Sequence, residues 1–284
     1  MSLPFWTRSP RVLVGLSVVV CIALVALFAP LLAPHDPNEQ NLLAVLLPPA
    51  WTPGGDAAFP FGTDSLGRCV CSRLIYGARV AMTTAVVAAL GAMLLGSTLA
   101  HIGGYFGGAT DWLIGRMVDI WMSFPPVVLS LILMVGLGTG LRNVILAIVL
   151  VDWTRFCRVL RSEVLVVTRR DYVTAARLVG FSHWRTITRE ILPATAPLLI
   201  TLISLEMGIA VIVEAILSFV GLSVSAQTPA WGQMIADARQ YIYEAPANLL
   251  FPILAIFLSV FGFNLLGDGL RRSLDVRLMA TDRS

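Results

Sequence analysis

Asp171 to Pro193 reads DYVTAARLVGFSHWRTITREILP, and this stretch decides how the rest of the chain is organised. It divides into a short helix, a glycine, a second short helix and a proline ahead of a long apolar run. Gly180 is the residue that can take a positive φ and end the first helix. Val173, Ala176, Leu178, Val179, Phe181, Trp184 and Ile187 are too many apolar residues for a solvated linker, and Arg177, Arg185 and Arg189 frame them. A basic, partly apolar helical pair of this kind is a docking element for a soluble partner.

Outward from this segment the chain turns apolar on both sides. Of its 284 residues 57% are hydrophobic and only 13% charged. A soluble domain carries roughly a quarter charged residues. The apolar residues fall into runs of about 20, the length that spans bilayer hydrocarbon as a helix. These runs predict an all-α integral membrane protein with six transmembrane helices. The expected spans are Val12–Ala33, Val80–Ile102, Asp111–Leu137 with a kink at Pro125-Pro126, Arg142–Leu160, Ala196–Val220 and Asn248–Leu266. The first follows Arg8 and Arg11, is long, and lacks an A-x-A-like cleavage site, so it reads as a retained signal anchor. Cytoplasmic loops carry the excess of positive charge. With the N-terminus inside, the outer segments hold only Arg68, Arg73, Arg79, Arg142 and Arg239, and the inner ones the other fifteen of the twenty basic residues. Both termini are therefore expected in the cytoplasm. The chain divides into residues 1–79, an anchor helix with an extracytoplasmic loop, and residues 80–284, a core of five spans whose longest cytoplasmic segment is 161–195.

Several chemistries are excluded at this stage. Every basic residue is Arg. A Walker A loop needs its Lys on the phosphates, so ATP hydrolysis by that route is excluded here, as is Schiff-base chemistry. No catalytic residue is assigned. Cys69 and Cys71 form a C-x-C without a second pair, Cys21 and Cys157 lie in apolar runs, and His35, His101 and His183 are far apart, so no metal set is expected. In the second span Ala88, Ala92, Gly96 and Ala100 recur every fourth residue, a smooth face for close helix packing.

Three acids fall inside expected spans: Asp152, Glu206 and Glu214. A carboxylate at membrane depth faces a partner or a water-filled cavity. Glu206 and Glu214 are eight apart and share a helix face, which leaves two readings, lining of a translocation path or hydrogen bonding between helices. In the outer loop, Thr63 or Asp64 could cap a helix starting near Leu66. Alternatively Asp64, Arg68 and Arg73 could touch an external partner or gate the mouth.

Thr174-Ala175-Ala176, then Gly180, then Leu192-Pro193 resembles the EAA loop of ABC importer permeases. Thr174 stands where that pattern prefers Glu, and Ala194 where peptide permeases often have Asn. Phe61-Gly62-Thr63-Asp64-Ser65-Leu66-Gly67-Arg68 is similar to the F-G-T-D-x-L-G-R-D signature of the C-type subunit of dipeptide, oligopeptide and nickel importers, with Cys69 in place of its Asp. Leu217–Leu222, Trp231–Met234 and Phe263–Arg271 resemble further blocks of that family.

The resemblance implies a type I ABC importer permease fold in the bacterial inner membrane. It implies a homologous second permease subunit, two cytoplasmic ABC ATPases and an extracytoplasmic substrate-binding protein. ATP and Mg would then be bound by the ATPases and no cofactor by this chain, with no nucleic acid involved. ATPase coupling falls to Thr174, Ala175, Ala176 and Gly180, with Arg177, Phe181, His183 and Arg185 as direct contacts; anionic lipid headgroups are the other possible partners of Arg177 and Arg185. The outer motif is Gly62, Thr63, Asp64, Gly67 and Arg68. Di- or oligopeptides are the leading cargo and nickel or a metal chelate the second. An ion-coupled secondary transporter would need internal repeats, which are not seen. An intramembrane serine enzyme would rest on Gly15-Leu16-Ser17 or Gly221-Leu222-Ser223 with His101, which is weak without the right neighbours.

Overall fold

The helix expected at Val80 begins ten residues earlier, at Val70, in a computed structural model that describes residues 9–225 and 227–274. Expectations resting on Arg8, Arg277 and Arg283 lie outside the described residues. In chain order the helices are α1 (Pro10–Leu27), α2 (Ala29–Leu32), α3 (Val70–Phe106), α4 (Gly108–Met122), α5 (Pro126–Leu137), α6 (Leu141–Thr168), α7 (Asp171–Leu178), α8 (His183–Thr186), α9 (Leu192–Phe219), α10 (Trp231–Ala238) and α11 (Pro246–Leu274). Among the described residues there is no strand, only an isolated bridge between Thr63 and Cys69.

Four helical stretches are long and apolar enough to cross a membrane: Pro10–Leu27, Val70–Phe106, His183–Phe219 and Pro246–Ser273. The expected third span is not one kinked helix. It is α4 followed by α5, bent by 87° at Ser123–Pro125, and as a broken span it would make the count five. Pro126 pushes Pro125 into an extended conformation, φ −59 and ψ 126, which a helix cannot continue through. The expected fourth span lies within α6, which carries Asp152, Arg155 and Arg158 in its apolar part. The first run stops short of Ala33, because Pro30 starts the separate short helix α2.

The small-residue face of α3 packs on α6. Ala88, Ala92 and Ala100 have no exposed surface. A Cβ at Gly96 would meet the Trp153 carbonyl oxygen at 2.3 Å, so the two helices approach closely only because that position has no side chain. The same device joins α1 to α11, where a Cβ at Gly15 would meet the Leu266 nitrogen at 2.5 Å. The C-terminal parts of α3 and α6 and the start of α9 share one apolar cluster around Phe156, Leu160, Val164 and Ile191, and Val173 of α7 is inserted into it.

The second short helix of the 171–193 segment is not a separate piece. His183–Phe219 runs through without a break, with a π-helical turn over Ile187–Ile191. Single π turns accommodate an irregularity without ending the helix, and here the turn immediately precedes Pro193, which lies inside the continuous helix and has no N–H to give to the preceding turn.

Candidate functional site

The 171–193 segment is held at three points. Val173 is fully buried and anchors α7. Helix α7 ends in a Schellman motif: Phe181 N–H donates to Ala176 O at 3.1 Å and Gly180 N–H to Arg177 O at 3.0 Å, with Gly180 at φ +94. Ser182 then starts α8, its Oγ accepting from Arg185 N at 3.3 Å. The third point was not legible in the sequence. Tyr105, 78 residues away at the end of α3, shares a 2.9 Å hydrogen bond with His183 Nδ1. Arg177 lies over the Tyr105 ring, its Cζ 5.9 Å from the centroid.

This scaffold leaves apolar side chains in the open: Leu178 is 84% exposed, Val179 80% and Trp184 71%. Thr174, Ala175, Arg177, Gly180, His183 and Arg185 are exposed beside them, while Ala176 and Phe181 are half-buried. Arg185 stacks on Phe181, 4.1 Å from guanidinium carbon to ring centroid. Large apolar side chains thus stand exposed on a basic loop that is tied to the rest of the fold at three points. Tyr105→Phe removes a hydrogen bond worth about 1 kcal/mol. We expect amide hydrogen exchange over residues 183–186 to rise about fivefold in that variant; unchanged exchange would show that the tether does not hold the loop.

The three buried acids separate into two sites. Glu206 on α9 takes Arg155 Nη1 at 3.0 Å, and Arg155 Nη2 lies 3.7 Å from Asp152 on the same helix. Both carboxylates are buried behind the guanidinium, and Glu206 Oε1 has no hydrogen-bond partner among the described residues. Glu214 is buried, not solvated, and accepts from Ser218 Oγ at 2.5 Å and Ser223 Oγ at 3.1 Å. Ser223 is thus engaged by an acid. His101 instead meets Ser97 O and Thr195 Oγ1, at 2.7 and 3.1 Å. Among the described residues no three His, Cys, Asp or Glu side chains gather with metal-ligand spacing.

The 61–68 motif does not cap a helix. The N-cap of α3 is Cys69, with no side-chain cap bond. Thr63 Oγ1 instead donates to Ala44 O and accepts from Leu47 N, and Asp64 accepts from Leu66 N and Arg68 N. Gly67, at φ +71, brings its backbone so close to Asn41 that a Cβ would sit 1.9 Å from the Asn41 oxygen. Asp64 then binds Arg68 Nε at 2.6 Å and faces Arg73 Nε at 3.7 Å, while Arg68 reaches Asp237 on α10 at 3.4 Å. Arg73 Nη1 donates to Pro37 O at 3.3 Å. The motif is a knot that fastens the 34–69 loop onto α3 and α10.

Burial pushes the Asp237 carboxyl above the usual value, against the pull of Arg68 and Arg73. A carboxyl raised in the folded state contributes stability that is present below its unfolded value, about 3.9, and lost as pH rises through the folded one. The Tm difference between Asp237→Asn and the parent should therefore move in the variant's favour as pH rises from about 4. Thermal unfolding in detergent checks it, and a difference moving the other way would contradict the burial argument.

Two family models match. Residues 76–280 match the binding-protein-dependent transport system inner membrane component. Residues 6–49 match the N-terminal TM domain of oligopeptide transport permease C. The chain is 38% identical over 271 residues to the dipeptide transport system permease protein of Alkalihalophilus pseudofirmus, covering 95% of this chain and 87% of that one. It is 39% identical over 277 residues to the di/tripeptide transport system permease protein of Pseudomonas aeruginosa, covering 96% and 91%. It is also 39% identical over 265 residues to the nickel transport system permease protein of Escherichia coli K12, covering 93% and 94%. With a family model over most of its length and such relatives along nearly all of it, the chain belongs to the binding-protein-dependent inner-membrane permeases, in the C-type branch of peptide and nickel ABC importers.

Proposed function

We propose that this chain forms half of the translocation path of an ATP-driven importer for di- or oligopeptides, with six membrane spans and both termini in the cytoplasm. A homologous permease subunit supplies the other half. Two ABC ATPases bind and hydrolyse Mg-ATP below, since this chain has no Lys for a Walker A loop. A soluble binding protein delivers cargo to the outer face. Residues 1–79 act as anchor and outer loop, and residues 80–284 as the transporting core.

The observation that carries this reading is the rigid cytoplasmic segment with Leu178, Val179 and Trp184 exposed on it. Thr174, Ala175, Ala176 and Gly180 give the element its shape, and Arg177, Phe181, His183 and Arg185 surround the contact surface. Because α8 continues directly into α9, a push on this segment is delivered along a transmembrane helix. Asp152, Glu206 and Glu214 are the candidate polar groups of the path, and the outer knot from Gly62 to Arg68 supports the face that receives the binding protein. Nickel or a metal chelate is the second cargo, favoured by the equal identity to a nickel permease.

Mild-detergent purification of the chain, co-expressed with its neighbouring genes, tests the assembly. A second permease chain and ATPase subunits should co-purify. Recovery of this chain alone or as a homo-oligomer would sink the importer assembly and favour an ion-coupled transporter.

A further inference from the structure

Arg155 is at membrane depth and is not fully covered by its own chain. Its level is set by α3: Trp153 and Phe156 pack on Gly96, six residues or about 9 Å from the inner end of the apolar stretch at Ile102. Yet the Arg155 side chain is 36% exposed, and Arg158, three residues further along the same side of α6, is 56% exposed. A guanidinium at this depth does not face acyl chains; it faces protein or water.

The acids nearby offset the charge of these groups but do not cover their exposed donors. Asp152 and Glu206 lie behind Arg155 and are buried. Asp119 on α4, at 3.0 Å from Arg158, is the exposed one, and Arg116 lies 4.0 Å from it. With the Arg161–Asp111 pair, which lines the same cavity as Arg158 at lower exposure, the surface presents four guanidinium groups to two carboxylates, descending from the membrane interior to the cytoplasmic rim.

Resting on the importer reading above, we infer that Arg155 and Arg158 line the inner half of the path and select cargo that carries a free carboxylate, such as the C-terminus of a peptide or an anionic chelate. A bare divalent cation meets no free carboxylate on this face, since Asp119 is paired with Arg158 and Asp111 with Arg161. Arg is suited to this because its fork meets a carboxylate through two donors. The buried Asp152 and Glu206 hold the Arg155 head in place, so the carboxylate meets an oriented donor at little ordering cost.

The test is uptake into proteoliposomes holding the complete complex, with its binding protein, of labelled Ala-Ala, its C-terminal amide, and Ni²⁺ alone. The binding protein is the same in every arm, so its own preference cancels when variant is compared with parent. Arg158→Gln should reduce dipeptide uptake about tenfold, the loss of one charged hydrogen bond, and leave the amide within about twofold. Arg155→Gln should do the same and Arg155→Lys should restore part of it. Ni²⁺ alone should not be carried. Equal effects on dipeptide and amide, or uptake of bare Ni²⁺ as good as that of the dipeptide, would overturn the inference while leaving the importer reading intact. Dissociation of the complex in Arg158→Gln would overturn it by marking the face as a subunit contact. Failure of the parent complex to carry either peptide or Ni²⁺ would remove the reading it rests on.

Discussion

Gly180→Val leaves the complex assembled and lowers ATP-driven uptake by tenfold or more, while ATP hydrolysis continues. The glycine holds φ +94, and nothing lies within 4 Å of where a Cβ would stand. The cost of the substitution is therefore conformational. A side chain in the left-handed region costs roughly 1–2 kcal/mol, and a β-branched one is worse. Relieving it means undoing the Schellman turn that aims α8 relative to α7. The exposed Leu178 and Val179 then no longer lie in register with Trp184, and the push of the ATPase is not passed into α9. Gly180→Asn is the control, because Asn tolerates this region, and it should retain most of the uptake. Uptake in the Val variant equal to that of the parent would show that the turn is not needed for coupling.

Asp64→Ala has the largest expected effect on folding. Asp64 stands between Arg68 and Arg73, whose side chains are 8% and 1% exposed. Removing it leaves two buried guanidinium groups with only Asp237 and the Pro37 carbonyl as partners. Breaking a buried pair in this way costs about 3–5 kcal/mol. We expect a strong loss of monodisperse protein after extraction and a lower Tm. Asp64→Ala combined with Arg73→Met should recover part of that loss, since the most deeply buried unpartnered charge is then gone. An unchanged Tm in the single variant would mean that the knot does not hold the 34–69 loop.

What could be read in the sequence was local. The helix–glycine–helix shape at 171–187 was legible because Gly180, Ser182 and their neighbours are bonded within a few residues. The break at Pro125-Pro126 was legible as a position, but its 87° angle was not, because a proline pair says where a helix yields and packing says how far. Of the two readings open for Thr63 and Asp64, the helix cap is not found: Gly67 allows the chain to turn back on Asn41, so the polar side chains bond the loop and the helix starts at Val70. Tyr105 gave no signal, since its partner His183 lies across the fold. The spacing of Glu206 and Glu214 placed them on one face, yet their partners differ. Arg155 comes from another helix, whereas Ser218, four residues after Glu214, could have been found by helical spacing.

The most direct test of the central claim is uptake of a labelled dipeptide into proteoliposomes that hold this chain, its partner permease and the ATPases, with binding protein added outside. Accumulation should require both ATP at the ATPase face and the binding protein. Accumulation that persists without ATP and follows an ion gradient would contradict it.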